Sequence, residues 1–75
     1  MKRVKTIWEL ADLLFGFAYD FGGDEYARRL YSLVTDPDLP RDMRERVADK
    51  IIEYFRKKGY VLDESVIEHI RRRAI

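Results

Sequence analysis

Apolar and polar residues are unevenly spread along this chain, and most unevenly near its start. From Thr6 to Phe21 the sequence reads TIWELADLLFGFAYDF. At about 100° per residue, Lys5, Glu9, Asp12, Gly16 and Asp20 share one narrow stripe. Ile7, Trp8, Leu10, Ala11, Leu13, Leu14, Phe15, Phe17, Ala18, Tyr19 and Phe21 fill the rest. That apolar face is far wider than the one by which an ordinary surface helix meets its core. Either the other helices wrap this one, or a second chain covers what they cannot reach. Thr6 and Glu9 form a T-x-x-E capping box that starts the helix at Ile7. The Gly22-Gly23 pair ends it, so the pattern predicts a helix over 7–21.

Three more helices follow from the same reasoning. Asp24 caps one over 25–34, with Tyr26, Ala27, Leu30, Tyr31, Leu33 and Val34 on its apolar face and Arg28, Arg29 and Ser32 opposite. In Thr35 to Leu39, Pro37 pushes Asp36 out of the helical region. Pro40 then suits the first position of the longest helix, 40–58. Met43, Val47, Ile51, Tyr54 and Phe55 make its core stripe, Asp42–Arg46 and Glu53–Lys57 are i,i+4 pairs, and Gly59 ends it. Val61 and Leu62 read as an extended link tucked into the core, since no alternating strand pattern surrounds them. Asp63 caps the last helix, 64–73, whose buried side is Val66, Ile67, Ile70 and Ala74. Met1 to Lys5 reads as a short, mobile basic lead. The fold class expected is an all-α, compact four-helix domain over 1–75, organised around the nearly all-apolar N-terminal helix.

The connector Asp36-Pro37-Asp38-Leu39-Pro40-Arg41, followed by Met43-Arg44, resembles the D-P-x-V-P-R-x-I-R connector of HEAT-like helical hairpins and of a small archaeal helical family. The resemblance is confined to that connector. It implies a helical hairpin and an archaeal source, and nothing about activity.

Composition narrows the functional classes. Lys plus Arg is 15 and Asp plus Glu is 14, which excludes a uniformly basic nucleic-acid coat protein. Residues 1–40 carry net −2 and residues 41–75 net +3, so the second half is the one to meet an anion. Cysteine is absent, so neither a disulfide nor a thiolate metal site can form. Asn and Gln are absent too, while charged residues make up 39%. A hyperthermophile protein has that composition. An engineered sequence can share it, but the aromatic content and irregular motifs favour a natural source. The apolar run is interrupted by Glu9, Asp12 and Asp20 and is shorter than the ~20 residues a bilayer span needs. No secretory signal is legible, and the expected localisation is cytoplasmic.

Catalytic chemistry finds little to work with. His69 is the one histidine. Ser32 and Ser65 lie inside or at the start of helices, and no phosphate-binding glycine loop is present. The acids Asp36, Asp38 and Asp42 cap and turn the chain, because Pro37 and Pro40 break a calcium-loop register. No enzyme, cofactor or metal is expected. The function expected is a protein–protein interaction or oligomerisation module, a homodimer or a subunit of a larger assembly. Trp8, Phe15 and Tyr19 on one side of the first helix are the candidate interface. The alternative is a nucleic-acid-binding or regulatory protein that uses Arg56, Lys57, Lys58, Arg71, Arg72 and Arg73, provided the two helix ends lie close. A helix-turn-helix reading of the last two helices is weakened by Glu64 and Glu68, acids where a recognition helix presents itself to bases.

Overall fold

The computed structural model describes residues 1–75. Four helices stand where the apolar periodicity places them: α1 (Ile7–Tyr19), α2 (Glu25–Val34), α3 (Arg41–Lys57) and α4 (Glu64–Arg72). Two short strands accompany them, β1 (Lys2–Val4) and β2 (Tyr60–Leu62), and they pair in parallel with Lys2 opposite Tyr60 and Val4 opposite Leu62. The fold is therefore mostly helical rather than all-α. The residues read as a mobile lead are β1, and the extended link is β2. Three residues are too few for an alternating pattern to show, and each strand's partner lies at the far end of the chain. The Lys2 N–H donates to the Gly59 carbonyl at 3.0 Å, and the Asp63 N–H to the Val4 carbonyl at 2.9 Å. Val4 is thereby fixed in the core with no exposed surface.

Capping decides the helix starts. The Thr6 hydroxyl accepts from the Glu9 N–H at 3.1 Å, Asp24 from the Tyr26 N–H at 3.0 Å and Asp63 from the Ser65 N–H at 3.1 Å. Each bond satisfies a donor that the first helical turn leaves free. The end of α1 comes two residues earlier than the sequence suggests, because Phe21, Gly22 and Gly23 all take positive φ. Arg28 of α2 reaches back and donates to the Ala18 carbonyl at 3.1 Å. A Cβ on Gly23 would stand 2.6 Å from that oxygen and 2.7 Å from the guanidinium. Only glycine lets α2 fold back so closely on α1.

One cluster of apolar side chains joins all the elements. Leu10, Leu14 and Ala18 of α1, Ala27, Leu30 and Val34 of α2, and Val66 and Ile70 of α4 share it with the buried stripe of α3. Helix α3 contributes six buried residues and α1 three. The core stripe of α3 starts at Arg44, which is 7% exposed, and not at Met43, which faces solvent. The Arg44 guanidinium is held in place by the Leu39 carbonyl at 3.0 Å and the Asp36 carbonyl at 3.4 Å, so it pins the Pro-rich connector to the helix. Phe17, Phe55 and Tyr60 pack edge to face and close the end of the molecule where β2 leaves α3.

Candidate functional site

Helix α1 buries only one side. Trp8 is 76% exposed, Phe15 48% and Tyr19 50%. Their spacing sets all three on one edge of the helix, between the buried stripe of Leu10, Leu14 and Ala18 and the polar stripe. Phe15 and Tyr19 lie with ring centroids 4.8 Å apart, and both meet Tyr31 of α2 at 5.5 and 6.4 Å. The contact with Tyr31 makes the far end of the stripe a firm aromatic surface rather than loose side chains. Phe21 adds a fully exposed ring just past the helix end, at a φ of 54°, where a non-glycine residue carries backbone strain. Sequence periodicity assigns Phe21 to the helix, and only its place before Gly22-Gly23 hints otherwise.

Beside the aromatic edge runs a shallow trough lined by Asp12, Leu13, Phe15, Gly16 and Asp20. A Cβ at Gly16 would touch nothing nearer than a carboxylate oxygen of Asp20 at 3.6 Å. The interior of the chain therefore places no demand for glycine at this helical position, where glycine costs about 1 kcal/mol relative to alanine.

The basic residues do not come together as one surface. Arg71 pairs with Asp49 at 3.7 Å, which lays the end of α4 against the middle of α3. Arg56, Lys57 and Lys58 lie about two turns further on. Arg72 pairs with Glu68 at 3.0 Å within its own helix, and Arg73 caps the helix end in extended conformation. The structure divides the first run as well: Lys57 and Lys58 join Lys50 on one cleft with Tyr26, Glu53 and Tyr54, and Arg56 points elsewhere. Lys50 and Tyr26 carry no motif, and only the i,i+7 spacing of Lys50 and Lys57 signals them.

Asp24 ties this cleft to the fold. Besides capping α2, it accepts from the Tyr54 hydroxyl at 2.7 Å. That hydrogen bond, helped by the backbone N–H groups of Tyr26 and Ala27, holds the Asp24 carboxyl below its ordinary value of 3.8. Burial, and then the Asp24 carboxylate, push the Tyr54 phenol well above its ordinary value of 10.0. At the first turn of α4, the Ser65 hydroxyl donates to Asp63 at 2.7 Å, and Asp63 also pairs with Arg3 of β1 at 3.2 Å. The Ser65 hydroxyl is thus committed to Asp63, while His69 Nε2 lies 3.3 Å from the Ala74 carbonyl.

No group of three or more His, Asp or Glu side chains is placed to hold a metal ion, and no helix is long and apolar enough to cross a membrane. The chain matches none of the known family models, curated proteins or solved structures with which it was compared.

Proposed function

We propose that this protein is a non-enzymatic association module that pairs with a second copy of itself through the aromatic edge of α1. The observation that carries the reading is the exposure of Trp8, Phe15 and Tyr19 on one edge of one helix. Burying an aromatic side chain of this size stabilises a complex by about 1.5–3 kcal/mol. A contiguous apolar surface rimmed by charge is the usual mark of an interaction site.

The two ends of the polar stripe carry opposite charge, which sets the direction in which a second copy would lie. Lys5 stands at the start of the polar stripe and Asp20 at its end, with Glu9 and Asp12 between them, so the two Lys5–Asp20 pairs of an antiparallel dimer must offset the approach of the two Asp12 carboxylates near the two-fold axis. A copy laid antiparallel sets Lys5 against Asp20 of its neighbour and Trp8 against the neighbour's Tyr19. A parallel copy would oppose like charges. The antiparallel arrangement is a two-fold, self-complementary contact, the commonest in soluble oligomers. Gly16 lets the second helix approach without a side chain in the way. The absence of Asn, Gln and Cys, together with the high content of charged residues, supports a thermophilic source.

Light scattering across a concentration range tests the reading. The expected mass is twice 9.0 kDa at high concentration, falling to the single-chain value in Trp8→Glu, Phe15→Glu and Tyr19→Glu with helical circular dichroism intact. A single-chain mass at every concentration would sink the reading, as would glutamate variants that leave a dimer undisturbed.

A further inference from the structure

The cleft between the start of α2 and the second half of α3 has a volume of about 460 Å³ and is lined by Tyr26, Lys50, Glu53, Tyr54, Lys57 and Lys58. That volume falls in the range of small-molecule sites, roughly 300–1,000 Å³. Lys50, Lys57 and Lys58 line it, with Glu53 the one carboxylate among the lining residues; the Asp24 carboxylate, bonded to Tyr54 and felt by Lys58, adds a second negative charge at its margin, which leaves one positive charge in surplus. Glu53 is engaged by Lys57 at 3.7 Å. Lys50 has no ion-pair or hydrogen-bond partner within the chain, because it stands one turn before Glu53 while Lys57 stands one turn after. Lys58 is held where it is: its ammonium lies 5.3 Å from the Phe17 ring centroid and 5.4 Å from that of Tyr54. An ammonium fixed over aromatic faces needs little further ordering to meet an anion.

The remaining wall is an aromatic ring. Tyr26 is 44% exposed, and its inner edge rests on Tyr54 at 5.8 Å between centroids. Tyr54 cannot turn away, because its hydroxyl is bonded to Asp24. An exposed ring on a fixed support beside a surplus of positive charge suits one ligand chemistry: a planar heterocycle joined to a phosphate. Stacking of a base on such a ring is worth about 1–3 kcal/mol. We propose that this cleft binds a nucleotide, with the phosphate between Lys50 and Lys58 and the base against Tyr26. The site lies on α2 and α3, apart from the aromatic edge of α1, and stands independently of self-association. The same chemistry is offered by a free nucleotide and by one unit of a single strand.

The experiment is a titration of the ¹⁵N-labelled full chain with adenosine 5′-monophosphate, inorganic phosphate, adenosine and short single-stranded oligo(dA). The expected result is a shift of amides at the start of α2 and in the second half of α3 with the monophosphate or the oligonucleotide. Adenosine and phosphate alone should bind about tenfold more weakly, each lacking one half of the contact. Lys50→Glu should weaken monophosphate binding about tenfold or more, and Tyr26→Ala should weaken it similarly while leaving phosphate binding unchanged. Unfolding midpoints of both variants establish that the fold is intact. Tighter binding of the oligonucleotide assigns the site to a strand, and tighter binding of the monophosphate to a free nucleotide. Absence of localised shifts at millimolar ligand overturns the proposal. So does a Tyr26→Ala variant that binds monophosphate as well as the parent, which would reduce the cleft to a bare anion site.

Discussion

Asp24 ties two helices together through one side chain. One carboxylate oxygen caps α2 and the other accepts from Tyr54 of α3, so a single residue joins a helix start to a neighbouring helix. Its acidity gives a direct test. In the folded chain the Asp24 carboxyl lies below 3.8, its value without these partners. Its stabilising contribution is complete above about pH 5, and it is lost as the pH falls through 3.8 toward the folded value. Asp63, lowered first by the Ser65 hydroxyl and then by the Ser65 backbone N–H, adds in the same direction. Asp24→Ala should cost about 1–2 kcal/mol at pH 7 for the lost cap, and should flatten the dependence of stability on pH below 4, both read by urea titrations at several pH values. Of the two roles, the cap is legible in the sequence, because Asp before a helical run is a local signal. The bond to Tyr54 is not, since it joins residues that only the packing of α2 on α3 makes neighbours. Arg44 repeats the lesson. A charged residue beside Met43 reads as the exposed one, yet its long stem crosses the core stripe and its guanidinium finds two carbonyls of the connector.

At the scale of the element, α1 is the informative helix. Its polar stripe is too narrow to account for its solvent-facing half, and the surplus apolar edge is where Trp8, Phe15 and Tyr19 stand. The order of charges along the helix makes the pairing direction testable. Lys5→Glu alone should weaken the dimer, and so should Asp20→Lys alone. The double reversal should recover most of the loss, with a coupling of about 0.5–1 kcal/mol for an exposed pair, measured by sedimentation equilibrium at low salt. Additive losses with no recovery would exclude the antiparallel register. The width of the apolar face is fully legible in the sequence because helical periodicity is a local geometric property. Which part of that face the chain covers itself was not. That division depends on the tertiary packing that buries the side of Leu10, Leu14 and Ala18, chiefly against α2, and leaves the adjacent aromatic edge bare.

The whole molecule is closed by pairing β1 with the segment between α3 and α4. Strand β1 pairs with β2 across almost the full length of the chain, and Arg3 pairs with Asp63 beside it. Closing so long a loop costs more entropy than the local helix contacts, so this contact is expected to form after α1, α2 and α3 have packed. Val4→Ala should therefore cost about 2 kcal/mol. Most of that loss should appear as faster unfolding and little as slower folding, measured by stopped-flow refolding and unfolding in urea. The sequence by itself determined the four helices, the caps of α1, α2 and α4, the glycines that end α1 and α3, and the excess of apolar surface on α1, since each depends on residues within a turn or two of one another. Tertiary structure alone decided that Met1 to Lys5 holds a strand, that Arg44 is buried, that Arg56 to Lys58 and Arg71 to Arg73 lie apart, and that Lys50, Lys58 and Tyr26 share a cleft. Those outcomes join residues distant along the chain, and their physical cause is the mutual packing of helices, which no local pattern records.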